Sequence, residues 1–205
     1  RLFGHLLIGQ HPTVKRNNYF TMRWDFSVID PCGSLENIRR SLFSHINIKI
    51  KAVISRYQAY LNDPVIIQED DAIASFQSLL TAISQTPYKL YLFVDEYDNF
   101  ANEVLVGQEK GEARYYELVG SEGIIKTLFK VIKSGASGQG LDRVFMTGVT
   151  PVVMADITSG YNVVTDISRY PEFDDLCGFH ETEIRVTLER IITNCQLPIS
   201  QAQEA

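Results

Sequence analysis

Residues 88–98 read Tyr-Lys-Leu-Tyr-Leu-Phe-Val-Asp-Glu-Tyr-Asp, a short apolar run that stops abruptly at Asp95 and Glu96. A run this short and this apolar predicts a buried strand. It therefore demands a sheet with cover, and it delivers two adjacent carboxylates at its C-terminal end. Other segments predict what surrounds it. Residues 19–29 alternate: Phe20, Met22, Trp24, Phe26 and Val28 take one face, and Thr21, Arg23, Asp25 and Ser27 take the other. That is the period of a strand. Asp30-Pro31-Cys32-Gly33 reads as a turn.

Ser34 is placed to cap a long helix that carries Leu35, Ile38, Leu42, Ile46, Ile50, Val53, Tyr57 and Leu61 at helical spacing. Asn62-Asp63-Pro64 is expected to end it. A second helix is predicted from Asp70-Asp71, with Ile73, Phe76, Leu80 and Ile83 on one face. Residues 99–120 read as a surface excursion. A third helix is predicted from Ser121-Glu122 through Ile132, and residues 134–140 as a flexible connection. Arg143 to Val149 reads as another short strand, with Pro151 opening a brief helix. After a loop over residues 159–179, Glu183 to Cys195 predicts a last helix. Strands alternating with helices imply an α/β layered fold around a mainly parallel sheet. The organisation expected is one domain over residues 1–195 and a polar tail at 196–205.

Composition removes several function classes. The net charge of −6 does not favour non-specific binding to a phosphate backbone, and nothing in this segment signals nucleic acid directly. The 3 cysteines, Cys32, Cys177 and Cys195, form no Cys-x-x-Cys, so neither a disulfide framework nor a zinc ribbon is expected. An intracellular setting is expected from that usage. No run is long enough to span a bilayer, so no membrane partner is expected. The 4 histidines, His5, His11, His45 and His180, have no metal spacing, and a helical face or surface loop accounts for them.

In a parallel sheet, ligands bind beyond the C-terminal strand ends. Those ends carry Asp25 and Ser27, then Asp95, Glu96 and Asp98, then Thr147 and Thr150. Hard oxygen donors gathered this way suit magnesium. A lone strand-end Asp is ordinary at a surface; an Asp-Glu pair after an apolar strand is more specific. Arg23, Arg39, Arg40, Arg114, Arg143 and Arg169 are candidates for phosphate contact. Arg169 stands out because it lies in the polar loop after the last strand. Tyr97, Phe100, Tyr115, Tyr116 and Tyr161 could stack on an adenine, or serve as ordinary core and interface residues.

Several segments occur in one order: Gly9-Gln10-His11-Pro12, Arg23-Trp24-Asp25-Phe26-Ser27, Phe93-Val94-Asp95-Glu96-Tyr97-Asp98, Thr147-Gly148-Val149-Thr150-Pro151, Thr158-Ser159-Gly160-Tyr161-Asn162 and Leu176-Cys177-Gly178-Phe179. Together they resemble the AAA-ATPase-like domain of large, mobile protein families, over residues 1 to about 185. In many members a predicted PD-(D/E)XK nuclease domain follows. The resemblance implies a P-loop NTPase fold that uses ATP and Mg2+. Asp95 would then stand in the Walker B position and serve the magnesium ion, with Glu96 activating the attacking water. Thr147 would be the sensor residue, and Asp25 matches an acid at the end of the family's second strand. The family often has an arginine just after a proline where this chain has Glu172; Arg169 is the nearby candidate for an arginine finger. Nucleotide is the expected partner, with a homo-oligomer or a downstream nuclease domain as further ones.

The phosphate loop, Gly-x-x-x-x-Gly-Lys-Ser/Thr, is absent from the sequence and is expected upstream of Arg1. The strand leading into it is expected between the Asp95 strand and the Thr147 strand. On that expectation the segment alone has two unpaired strand edges, is marginally stable and binds ATP poorly. Two other readings stand beside the ATPase. One is a degenerate NTPase fold used as a scaffold or interaction module; the other is a magnesium-dependent phosphohydrolase built on Asp95, Glu96 and Asp98.

Overall fold

The structure is a computed structural model that describes residues 4, 6–30, 34–99, 117, 123–149, 164–168, 170–173 and 179–195. It divides into two compact units, residues 1–163 and 164–205. The first unit holds a parallel sheet of three strands, β1 (Tyr19–Asp25), β2 (Lys89–Asp95) and β3 (Leu141–Met146), in the order β1-β2-β3. Its helices are α1 (Leu35–Tyr57), α2 (Ala72–Ser84) and α3 (Ile124–Ala136). A single helical turn, Leu7–Gln10, precedes the sheet. The α/β class and the parallel sheet are as the alternation of elements implied.

The period of two along β1 and β2 decides which face is covered. Phe20, Met22 and Trp24, with Leu90, Leu92 and Val94, are buried. They pack with Ile38, Leu42, Ile46 and Ile50 of α1, Phe76, Leu79 and Ile83 of α2, and Ile125, Leu128, Phe129 and Ile132 of α3. Burying each such side chain contributes about 1.5–3 kcal/mol, so this face supplies most of the driving force. The odd residues, Thr21, Arg23 and Asp25 with Tyr91, Phe93 and Asp95, lie on the opposite face and are exposed or half-buried. There Tyr91 stacks on Phe93 with ring centroids 4.3 Å apart.

The helices start where capping chemistry places them. Ser34 Oγ accepts the Asn37 N–H at 3.3 Å, and Asp71 Oδ1 accepts the Ala74 N–H at 3.0 Å. Each satisfies a donor that the first helical turn leaves without an intrahelical partner.

The last strand is Leu141–Met146 rather than Arg143 to Val149, and four other details differ from the sequence expectation. First, β1 ends at Asp25, and Phe26–Val28 form a 3-10 turn. The Asp25 carboxylate accepts the Ser27 N–H and turns the chain. Phe26 stays buried, Val28 becomes exposed, and Ile29 takes the core position instead. Second, α1 stops at Tyr57, short of the Asn-Asp-Pro signal. The Tyr57 hydroxyl is bound to the Thr21 N–H at 3.2 Å, and Tyr60 packs edge-on to Tyr88, so tertiary contacts end the helix early. Third, α3 runs through Ala136 into the expected connection, because Gly135 lets it close on Leu80 of α2. Fourth, β2 pairs directly with β3 from Leu90↔Leu141 to Val94↔Met146. The expectation of a strand between them is therefore wrong. Parallel pairing with β1 on one edge and β3 on the other makes β2 the central strand, with Leu90, Leu92 and Val94 on its covered face.

The second unit contributes α4 (Glu181–Cys195), whose apolar stripe of Ile184, Leu188 and Ile191 is about half exposed. The predicted excursion at 99–120 apart from Asn99 and Glu117, the Pro151 helix, and the tail at 196–205 lie outside the described residues.

Candidate active site at the sheet edge

Parallel pairing carries the three strands to one edge. Asp25 of β1 is in register with Asp95 of β2, and Val94 with Met146 of β3, so Thr147 follows beside Asp95. Thr147 remains tied to β2: its N–H donates to the Val94 carbonyl at 2.9 Å, and its carbonyl accepts the Tyr97 N–H at 3.1 Å. The Thr147 hydroxyl donates to Asp95 Oδ1. Arg23, two residues before Asp25 on the same face, donates to Asp95 Oδ2 at 2.5 Å and lies 3.3 Å from Asp25 Oδ2. The Thr147 hydroxyl first, and then the Arg23 guanidinium, hold the Asp95 carboxyl below the usual carboxylate range. Asp95 is thus an anion at neutral pH, fixed between a hydroxyl and a cation.

Beside these groups lies a cleft of about 390 Å³, lined by Arg23, Arg56, Phe93, Asp95, Phe145 and Thr147. Its lining is mostly apolar, with Asp95 and Thr147 at the strand ends and Arg23 and Arg56 beside them, the form of a small-molecule site.

Glu96 follows at once and is exposed, with φ at +50°. A residue with a full side chain rarely adopts the left-handed region. Such strain costs on the order of 1–3 kcal/mol and clusters at functional sites. Here it turns the chain so that Asp95 and Glu96 do not continue the strand's alternation.

Other sequence candidates land elsewhere. Asp98 is fully buried, and both carboxylate oxygens accept the Val149 N–H, at 3.2 and 3.1 Å. It fixes the loop after β3 from inside, away from Asp95 and Thr147 at the sheet edge. Gly148 completes that lock, because a Cβ there would sit 2.6 Å from Asp98 Oδ1 and 2.5 Å from the Tyr97 ring. Asp25 spends Oδ1 on the Ser27 N–H and hydroxyl, leaving Oδ2 toward Arg23. Arg39 pairs with Glu36, and Arg143 with Asp142, both at the surface. Tyr97 packs into the core. Arg114, Thr150, Tyr161 and Arg169 lie outside the described residues.

Sequence reasoning accounted for His45 by a helical face or a surface loop and gave it no further role; it lies on α1. Its Nε2 accepts the Asp25 N–H at 3.1 Å, pinning the end of β1 to α1. Burial first, and then Lys49, push its pKa below the ordinary value, while Asp25 opposes them. A base whose folded pKa is depressed contributes stability that is present above the unfolded pKa, near 6.5, and lost as pH falls through the folded value. The urea midpoint is accordingly expected to drop between pH 7.5 and 5.5. In His45→Gln that part of the slope should vanish; an identical slope would show that His45 does not carry it. The signal available in the sequence was the helical stripe itself, since His45 adjoins Ile46 on the covered side of α1.

A magnesium ion is commonly held by only one or two carboxylates plus substrate phosphates. Asp95, with Asp25 alongside and the Thr147 hydroxyl next to it, is a hard-oxygen donor set that fits this mode. Among the described residues no group of three or more His, Cys, Asp or Glu is arranged as a complete metal cage. No helix among them is long and apolar enough to cross a membrane.

Comparison with known proteins adds one finding. No curated protein and no solved structure matches the chain. The family AAA-ATPase_like, described as predicted AAA-ATPase, matches residues 1–158. That span includes the whole sheet, both strand-end acids and Thr147, and on it the chain belongs to the AAA-ATPase-like family.

Proposed function

We propose that this domain binds and hydrolyses ATP with Mg2+ in the complete protein, with Asp95, Glu96 and Thr147 as the working residues. The observation that carries the reading is the Asp95–Thr147 hydrogen bond across two adjacent parallel strands. It joins an acid that ends a buried strand to a hydroxyl just past the end of the next, at the edge where α/β sheets bind ligands. In this reading Asp95 holds the metal, which supplies charge neutralisation for the phosphates when bound. Glu96 takes a proton from the attacking water. Thr147 orients the Asp95 carboxylate and reports on the terminal phosphate. Asp25 adds negative charge beside Asp95. Arg169 is the candidate for stabilising phosphoryl charge, in cis or across a subunit boundary. A homo-oligomer and a following nuclease domain remain proposals of the same kind, as does an intracellular location.

Calorimetric titration of the full-length protein with ATP, with and without Mg2+, tests the reading. Micromolar binding is expected that strengthens with the metal, and Asp95→Ala should remove the metal's contribution. Metal-independent binding identical in both proteins would favour the scaffold reading instead.

A further inference from the structure

We propose that Arg23 is a tethered counter-cation that occupies one oxygen of Asp95 and opposes a divalent ion there until it is drawn away. The inference rests on the assignment of Asp95 as the magnesium ligand. Of the two Asp95 oxygens, Oδ1 accepts from Thr147 and Oδ2 from Arg23, so the carboxylate has no oxygen without a donor. Asp25 Oδ2 also faces the guanidinium. Arg23 therefore offsets one of the two negative charges at the strand ends, at the spot where a divalent cation would add its charge.

The arrangement is built to open. The Arg23 side chain is 62% exposed and that of Asp95 35%, so solvent screens the ion pair and leaves it weak. Its guanidinium reaches the site from mid-strand on a long side chain, and the cleft beside it offers room to swing. By contrast, the bond to Thr147 is anchored at both ends by backbone pairing. Arg23 is thus the movable partner and Thr147 the fixed one. Released from Asp95, the same guanidinium stays in the cleft and can meet a phosphate, because guanidinium pairs with phosphate as readily as with carboxylate. The consequence is an ordering: bare metal binds weakly against the internal cation, and a phosphate that takes Arg23 away makes metal binding easier.

The test is Mn2+ affinity by electron paramagnetic resonance, using the full-length protein and Mn2+ alone. Arg23→Gln is expected to tighten Mn2+ binding about threefold to tenfold, the size of one nearby charge removed at partly exposed range. Arg56→Gln, which removes a charge from the same cleft without contact to Asp95, should change affinity less than about twofold. Asp95→Asn should weaken binding in either background. Unchanged or weaker binding in Arg23→Gln, with Asp95→Asn still weakening it, would overturn the counter-cation role and leave Asp95 as ligand. Equal gains in both arginine variants would reduce the effect to general charge and also overturn it. No effect of Asp95→Asn would remove the ligand assignment and the inference together. A readout independent of affinity is the Arg23 Nε–H resonance, expected to move on Mg2+ saturation in the native protein and to stay still in Asp95→Asn.

Discussion

Glu96→Gln is expected to lower ATP turnover in the full-length protein by about 100-fold or more while bound ATP is retained. Glutamine keeps the length and shape of the side chain but cannot accept the proton of an attacking water. The backbone at this position is held at φ +50°, and Gln should tolerate it no worse than Glu does. Binding is therefore expected to persist, because Asp95, Thr147 and the cleft are untouched. Steady-state phosphate release gives the turnover, and equilibrium dialysis with labelled ATP gives the binding. A change that only disturbed the loop would lower both together. Glu96→Gly separates the cases, since glycine takes positive φ at no steric cost. It should keep ATP and lose turnover to the same degree. Full turnover in either variant would mean that water is activated elsewhere.

Gly140→Ala is expected to destabilise the protein by about 3 kcal/mol, combining the cost of positive φ with an added methyl that has nowhere to go. Gly140 has φ +92°, and a Cβ there would lie 2.4 Å from the Leu80 carbonyl oxygen, a backbone atom that cannot swing aside. Its own carbonyl accepts the Leu90 N–H at 2.8 Å and so helps set the first rung between β2 and β3. Displacing it shifts the register that brings Thr147 beside Asp95. For a chain of this size the expected fall in melting temperature is roughly 6–12 °C. Gly138 is an internal control: its φ is +110°, yet nothing lies within 4 Å of an added Cβ. Gly138→Ala should cost only about 1–2 kcal/mol, for the conformation alone. Equal losses at the two glycines would show that the clash with Leu80 does not operate.

The class of fold and the acids were legible in the chain because their signals are local. A period of two from Phe20 to Trp24 and a period near 3.6 from Ile38 to Val53 are set by strand and helix geometry alone. The cap at Ser34 and the helix start near Asp70-Asp71 needed only residue identity and distance from the first apolar position. Asp95 and Glu96 announced themselves by interrupting an apolar run. What the chain could not state locally was which strand lies beside which. Arg23 meets Asp95 across 72 residues and Thr147 meets it across 52, and both meetings depend on a register fixed by the packing of the covered face. The same holds for the acids that look alike in sequence. Asp95 and Asp98 are three positions apart, yet the positive φ at Glu96 leaves one at the sheet edge and turns the other into the interior. Sequence determined the kind and order of these strands and helices and the pair of carboxylates. Tertiary structure decided which carboxylate faces solvent, which hydroxyl and which cation stand against it, and that β2 has neighbours on both edges, because those choices follow from long-range packing rather than from any spacing along the chain.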